Sequence, residues 1–155
     1  MAKKKSLVPL KIKHAILRDK IFWAALVAAL PFWGLLYWLH APQDPLAYLI
    51  SNFGRFVLAA AVSPAVEEVL FRGALQEYLA KQIDFRIRGP VSSANLVTSM
   101  LFAILHGIIW ANLWALLVFF PSLVYGYFKD KTDALGAPIA LHAFYNAGFF
   151  LVTAR

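Results

Sequence analysis

The sequence predicts an all-α fold, a polytopic transmembrane helix bundle with about five membrane segments around a polar cavity. Of its 155 residues, 61% are hydrophobic, more than the roughly one half that is usual for a soluble domain. They form runs of about 18 to 22 residues, the length of helix that crosses a bilayer core of about 30 Å. Most charges flank these runs, but Glu67, Glu68 and Arg72 lie within an apolar stretch. We expect one membrane domain over residues 21–155, behind a basic leader over residues 1–20.

The N-terminal region combines seven basic residues in the leader with a first apolar run over residues 21–39. The leader resembles the n-region of a signal peptide, but the apolar run is longer than a typical h-region. It ends without a small-x-small cleavage site, so the run is predicted to be a retained first span. Pro31 is expected to kink this span. The loop over residues 40–45 contains no Lys or Arg.

A second span is predicted over residues 46–63, with Arg55 either reaching the interface or facing the protein interior. Ser63 and Pro64 are expected to end this span and to begin a new helical segment over residues 65–81, with Ser63 as its cap and Pro64 in its first turn. These boundaries place Glu67 near the cytoplasmic end of its segment. They conflict with the greater depth expected for His106. Either these boundaries are wrong by several residues, or the breaks at Pro64 and at Gly136–Pro138 let those segments dip into the membrane, and we favour the second explanation.

A basic connection over residues 82–92 leads to three further spans, predicted over residues 93–110, 113–128 and 138–153. The pair Ser92-Ser93 is expected to cap the first of these. Twelve of the fifteen Lys and Arg residues then lie on one side of the membrane. The positive-inside rule therefore predicts a multi-pass protein of the inner (cytoplasmic) membrane, with its N-terminus in the cytoplasm and its C-terminus outside.

The composition excludes several classes of function. The chain has no cysteine, so disulfides, thiolate catalysis and cysteine-ligated metals are excluded. The net charge of +7 comes from basic residues that flank apolar runs, and they form no groove with interleaved aromatic residues. We therefore expect a lipid bilayer, and no nucleic acid, as the partner of these charges.

The charged cluster divides into two parts by helical geometry. Glu68 and Arg72 are four residues apart, so a helix makes them neighbours on one face, where they are expected to pair. Glu67 lies about 100° around the helix from Glu68, which leaves its carboxylate free for chemistry. The alternative is that all three charges form one ion cluster that only packs helices.

Three further polar residues lie in later apolar runs: His106, His142 and Asn146. Each alone is compatible with a packing role through hydrogen bonds between helices. Together with Glu67 they supply the groups needed to hydrolyse an amide. A carboxylate beside an imidazole can orient and deprotonate water, and a second imidazole with a carboxamide can donate to an oxyanion. A Glu/His/His set also suits zinc, but Asn is a poor zinc ligand, so no cofactor is predicted, although metal dependence is not excluded.

The order of these residues resembles the CPBP family of intramembrane proteases, which includes type II CAAX prenyl endopeptidases, Abi immunity-type relatives and short myxosortase-like enzymes. The family pattern has three motifs on successive segments. Here they read Glu67-Glu68-x-x-x-Arg72, Phe102-x-x-x-His106 and His142-x-x-x-Asn146. The resemblance implies a metal-independent, glutamate-type peptidase domain over residues 21–155, although metal dependence has been argued within the family.

The resemblance also assigns roles and substrates. It implies Glu67 as general base, His106 as its partner on the water, and His142 and Asn146 as oxyanion donors. Arg72 would anchor Glu68, and the Phe102 position would shape the pocket. The implied activity is endopeptidase cleavage near the C-terminal end of a membrane protein or lipidated peptide, either a prenylated CAAX end or a sorting tail.

Two other functions remain open at this point. One is a non-catalytic immunity or scaffold protein that binds a partner through the same polar cavity. The other is a small transporter or proton relay, which the absence of an inverted repeat disfavours. The chain is shorter than many family members, and an oligomer is one way to supply missing walls of the site.

Overall fold

The computed structural model describes residues 16–40, 44–83 and 89–153, and within these ranges it contains helices and no strand. The predicted all-α fold is confirmed. The described helices, numbered in chain order, are α1 (Lys20–His40), α2 (Pro45–Ser51), α3 (Phe53–Gln82), α4 (Ser93–Trp110), α5 (Phe119–Thr132) and α6 (Gly136–Val152), with a 3₁₀-helix over Leu113–Val118 before α5. Most of the predicted leader and the basic residues Arg86 and Arg88 lie outside the described residues.

Two of the helices, α1 and α4, are long and apolar enough to cross a membrane, and the bent pair α2–α3 is a third candidate. Helix α6 is apolar but shorter. Large apolar side chains on α1 face outward, including Trp38 with 76% of its surface exposed, which suits contact with lipid. These helices are those of a membrane protein, and five crossings remain a prediction.

The predicted second span over residues 46–63 is wrong as a single straight helix. The chain bends by 95° between α2 and α3, at Asn52. Helix α2 begins after Asp44, whose side chain accepts hydrogen bonds from two backbone N–H groups of the first turn, and Pro45 occupies that turn. It ends at Asn52, where the backbone leaves the helical region with φ −121° and ψ 25° and the side-chain amide donates to the Tyr48 carbonyl at 3.2 Å. Arg55, just past the bend, is exposed, which rules out the interior position.

The predicted helix break at Ser63 and Pro64 is also wrong, because α3 continues through both. A π-helical turn over Leu58–Val62 precedes them, and the Ser63 N–H bonds to the Leu58 carbonyl, five residues back. In this register Pro64, which has no N–H, leaves the Ala59 carbonyl without its helical donor. The side-chain amide of Asn146 on α6 donates to that carbonyl at 3.1 Å. A wider turn and a neighbouring helix thus accommodate the proline.

Helix α3 buries every fourth residue along one line: Ala60, Pro64, Glu68, Arg72 and Gln76. In a regular α-helix a four-residue step advances about 400°, so the line would drift about 40° per step. Helix α3 contains a second π-helical segment over Val69–Gln76. A π-helical turn holds more residues than an α-helical turn, so these segments offset the drift. The buried residues therefore stay on the side of α3 that faces the other helices.

Because α3 is continuous, Glu67 lies near its middle. It is about 22 Å from Gln82, and His106 is about 20 Å from Ser93, at 1.5 Å per residue. The predicted depth conflict therefore came from a wrong helix boundary. The explanation by inward-dipping broken segments is wrong for α3, which has no break there.

The predicted third span is confirmed, whereas the predicted fourth span over residues 113–128 consists of the 3₁₀-helix over Leu113–Val118 followed by α5. The range of α4 is the predicted one, and the Ser92 hydroxyl oxygen accepts from the Asn95 N–H as its cap.

Ion pairs join the end of α5 to the residue before α1 and to the last turns of α3: Lys131 with Asp19 at 2.5 Å, and Lys129 with Glu77 at 2.8 Å. The hydrogen bond from Lys131 lowers the pKa of the Asp19 carboxyl below its ordinary value.

Helix α6 packs against α1 and α3. Tyr145 donates to the Ala25 carbonyl at 2.7 Å, and the rings of Trp33 and Phe144 lie 4.8 Å apart. The Trp33 ring also covers Gly148 so closely that no β-carbon fits there. These contacts hold α6 against α1, and the bond from Asn146 to the Ala59 carbonyl holds it against α3.

We expect Gly126→Ala to lower the thermal stability of the protein in detergent. A β-carbon at Gly126 would meet the Asn95 side chain, which is fully buried and held by hydrogen bonds with Ser99 and Leu123. Overpacking of this kind costs about 1–3 kcal/mol of unfolding free energy. Gly34→Ala, which meets no atom within 4 Å, is the matched control. Equal melting temperatures for the two variants would contradict the packing described for α4 and α5.

Candidate active site

The structure brings together three of the predicted site residues, each from a different helix. One carboxylate oxygen of Glu67 on α3, Oε2, lies 3.8 Å from Nε2 of His106 on α4 and 3.8 Å from Nε2 of His142 on α6. The Glu67 and His106 side chains are 28% and 21% exposed, whereas His142 is 5% exposed. Two partly accessible groups thus face a buried imidazole.

The predicted pair of Glu68 and Arg72 is present beneath these residues. The Arg72 Nε donates to Glu68 Oε2 at 3.3 Å, and neither side chain has any exposed surface. A buried guanidinium requires partners for its other N–H groups. They are supplied by Gln76 Oε1 at 3.2 Å, Ser99 Oγ at 3.5 Å, and both the carbonyl and the hydroxyl of Ser122.

Glu68 has a second partner that the spacing of the motif did not reveal. Its other oxygen, Oε1, lies 2.9 Å from Nδ1 of His142. Since a carboxylate paired with arginine accepts hydrogen bonds, the Nδ1 of His142 carries the proton in this contact. The remaining nitrogen, Nε2, faces Glu67 and is an acceptor when the ring is neutral.

His106 has the same tautomer for a different reason. Its Nδ1 lies 2.9 Å from the backbone carbonyl of Phe102, one turn earlier in α4. A carbonyl can only accept, so this Nδ1 donates and Nε2 is left as the acceptor. Both imidazoles therefore direct Nε2 at Glu67.

The Glu67 Oε2 atom is buried and makes no hydrogen bond to any described residue. When both imidazoles are neutral, it faces two Nε2 atoms that are also acceptors. Three acceptors so arranged favour a small group with two N–H or O–H donors, such as a water molecule, between the carboxylate and an imidazole. The same arrangement places a base next to that group.

Aromatic rings fix the orientation of both imidazoles. The Phe102 ring, 1% exposed, lies 4.2 Å from the His106 ring and 5.8 Å from the His142 ring, centroid to centroid. The Tyr125 ring stacks on the His142 ring, with their centroids 4.7 Å apart. Phe102 thus contacts both imidazoles, and its predicted role in shaping the pocket remains a prediction.

Asn146 lies one turn after His142 on α6, but its amide nitrogen donates to the Ala59 carbonyl. Within the described residues, the structure gives its side chain no contact with Glu67 or His106. Its predicted role as an oxyanion donor is untested, and the amide has a second N–H for such a contact.

Metal binding can be assessed from the donor set. Two imidazole nitrogens and one carboxylate oxygen are ligands that zinc accepts. Across residues 16–40, 44–83 and 89–153, however, no three His, Asp or Glu side chains meet the geometry of a metal site.

The sequence interpretation missed several residues that hold the site. Gln76 continues the four-residue spacing of Glu68 and Arg72, and this spacing was the available signal. Ser99, Ser122 and Tyr125 carried no comparable signal, because each contacts a site residue on a different helix.

We expect Arg72→Lys to destabilise the protein although the charge is retained. The lysine ammonium is a compact group that cannot reproduce the fork of contacts with Glu68, Gln76 and Ser122. Breaking a buried pair costs about 3–5 kcal/mol, and a large part of that loss should appear in thermal unfolding in detergent. Arg55→Lys, at an exposed position on the same helix, should leave the melting temperature unchanged. Equal melting temperatures for Arg72→Lys and Arg55→Lys would contradict the described contacts of the Arg72 guanidinium.

Comparison with known proteins identifies the family. Residues 49–148 match the family described as Type II CAAX prenyl endopeptidase Rce1-like. The matched range is more than half of the chain and contains all seven candidate residues. Searches of curated proteins and of solved structures gave no significant match. This chain is therefore a membrane protein that belongs to the Rce1-like type II CAAX prenyl endopeptidases, a family of CAAX-type intramembrane proteases.

Proposed function

We propose that this protein is a glutamate-type intramembrane endopeptidase that cleaves a peptide bond near the C-terminal end of a membrane-associated substrate. The observation that carries the proposal is the position of Glu67 Oε2, 3.8 Å from the Nε2 atoms of both His106 and His142. A carboxylate oxygen without a hydrogen-bond partner among the described residues is held here between two imidazoles of fixed tautomer.

The first step is activation of water. A water between Glu67 and His106 donates one hydrogen to the carboxylate and the other to the His106 Nε2 lone pair. As the water oxygen attacks the scissile carbonyl carbon, Glu67 takes its proton as general base. Glu67 later passes this proton to the leaving amine, so the carboxylate is regenerated.

The second requirement is a donor for the oxyanion of the tetrahedral intermediate. His142 meets it when it carries a proton on Nε2, because Nδ1 is already bonded to Glu68 and the Glu68 carboxylate stabilises the resulting imidazolium. The Asn146 amide supplies a second donor through the N–H that is not bonded to Ala59. Glu68 acts through His142 and does not itself contact the substrate.

The surroundings of the site favour an apolar substrate segment. On α3, Val66 and Leu70 beside Glu67 are more than half exposed, and on α4, Ile109 beside His106 is 64% exposed. An apolar or lipidated peptide would cover these side chains as it placed its scissile bond beside Glu67. Both a prenylated CAAX end and an apolar sorting tail are apolar enough to cover these side chains. A second copy of the chain would also cover them.

Basic residues at one end of the bundle support the orientation in the membrane that belongs to this proposal. Lys81 at the end of α3 and Lys129 and Lys131 at the end of α5 lie at the same end, because Lys129 pairs with Glu77 of α3. The positive-inside rule assigns this end to the cytoplasm of an inner-membrane protein.

We expect Glu67→Gln to abolish cleavage while the protein remains folded, because the buried carboxylate oxygen makes no hydrogen bond that an amide would lose. Loss of a general base lowers the rate by about 10²–10⁴-fold. The measurement is a comparison of C-terminal peptides of membrane proteins from cells that express the wild type or the variant. Candidate prenylated and apolar-tail peptides are then tested in liposomes.

Glu77→Gln is the matched control, since it removes a carboxylate that pairs with Lys129 and lies about three helical turns along α3 from Glu67. This variant should leave cleavage unchanged. Processing by the Glu67→Gln variant at the wild-type rate would contradict the mechanism. A biological phenotype that persists without any cleavage would favour the non-catalytic scaffold.

A further inference from the structure

A second set of hydrogen bonds extends from Arg72 away from the candidate active site. It begins at Gln76, one turn along α3 and 1% exposed. The Gln76 Oε1 accepts from Arg72, and its Nε2 donates to the Gly126 carbonyl at 3.1 Å and to Asp130 Oδ1 at 2.7 Å. The amide oxygen and nitrogen both have partners, so the orientation of this amide is fixed.

Asp130 joins this set to the ends of three helices. It is exposed near the end of α5, and its second oxygen accepts from the Ser92 hydroxyl at 2.7 Å. Ser92 caps α4 by accepting from the Asn95 N–H. One carboxylate therefore connects α3, α4 and α5 at the end of the bundle that carries Lys129.

The contacts form one continuous chain from this end to the imidazole. In order, its members are Ser92, Asp130, Gln76, Arg72, Glu68 and His142. Four of them, from Gln76 to His142, are at most 5% exposed. Water cannot readily replace a partner that is lost from the buried part of the chain.

We propose that Gln76 and Asp130 are positioning residues for His142. By fixing the guanidinium of Arg72, they hold the Glu68 carboxylate so that Oε1 accepts from His142 Nδ1 while Oε2 accepts from Arg72. The imidazole then keeps the tautomer in which Nε2 faces Glu67. The consequence for catalysis rests on the proposed function, whereas the effect on the His142 tautomer does not.

The dependence of the His142 tautomer on Gln76 follows from the contacts of the Arg72 guanidinium. Without the Gln76 oxygen, the only other acceptor of Nη1 among the described residues is Ser99 Oγ, at 3.5 Å, a distance at the limit for a hydrogen bond. The guanidinium would turn toward its remaining partners on Ser122, and the Glu68 carboxylate would turn with it. His142 would then lose the acceptor that selects its tautomer.

The test is nuclear magnetic resonance of the full-length protein in micelles with ¹⁵N-labelled histidine. The His142 signals are assigned by their absence in His142→Gln. We expect the wild type to show a protected Nδ1–H resonance for His142. Gln76→Met, which keeps the shape but removes both the acceptor and the donors, should abolish this resonance. Retention of the resonance in folded Gln76→Met would overturn the proposal.

Asp130 supplies a pair of variants at an exposed position, where folding is less at risk. Asp130→Ala removes the acceptor and should cause partial loss of the His142 resonance. Asp130→Asn should preserve it, because the amide oxygen accepts from Gln76 while the amide nitrogen donates to the Ser92 oxygen. Identical spectra for Asp130→Ala and the wild type would overturn the proposal, as would loss of the resonance in Asp130→Asn.

Glu77→Gln is the control for a general effect at this end of α3, because Glu77 pairs with Lys129 and has no bond to Arg72. Its His142 resonance should match the wild type, and a loss there would also count against the proposal. Cleavage assays on the same variants separate the positioning role from the proposed protease function. If Gln76→Met alters the resonance but even the wild type cleaves nothing, the proposed function fails and the positioning role stands.

Discussion

The structure depends on the burial of one guanidinium. Arg72 has no exposed surface, and an unpaired charge in such a position would cost several kcal/mol. Its N–H groups are therefore directed at a carboxylate, an amide, two hydroxyls and a carbonyl. Because these partners lie on α3, α4 and α5, satisfying one side chain fixes the relative positions of three helices. The Glu68 carboxylate extends the constraint to α6 through His142.

This constraint explains how two adjacent glutamates differ so strongly. Glu68 faces inward on the line of buried residues and has both oxygens occupied. Glu67 lies about 100° further around the helix, where it is partly accessible and one oxygen has no hydrogen-bond partner among the described residues. The Glu68 carboxylate holds His142 in place, and His142 is one of the two imidazoles that face Glu67. The pair of Glu68 and Arg72 expected from the spacing is thus present in the structure, with the added contact between Glu68 and His142, while the catalytic role of Glu67 stays a prediction.

The sequence predicted local features well and long-range contacts poorly. The apolar run of α4 and its Ser92 cap gave correct boundaries, and the four-residue spacing of Glu68 and Arg72 gave the correct pair. Pro64 misled because proline usually ends a helix, whereas a π-helical turn and Asn146, a residue on a distant helix, accommodate it here. The contact of Glu68 with His142 joins residues 74 apart, and no local periodicity carries that information. The bend at Asn52 was missed because its polar neighbours lie within a stretch over residues 46–63 that is mainly apolar and long enough to cross a bilayer.

The most direct test of this account is a double-mutant cycle on Glu68 and Arg72, measured as unfolding free energy in micelles. Glu68→Gln and Arg72→Met each leave one buried charge unpaired, and each should cost about 3–5 kcal/mol. The double variant leaves neither charge, and the oxygen of the new side-chain amide can still accept from His142. We expect the double variant to lose markedly less stability than the sum of the single variants. Additive losses would show that the two side chains are not coupled, and would contradict the central role of this pair.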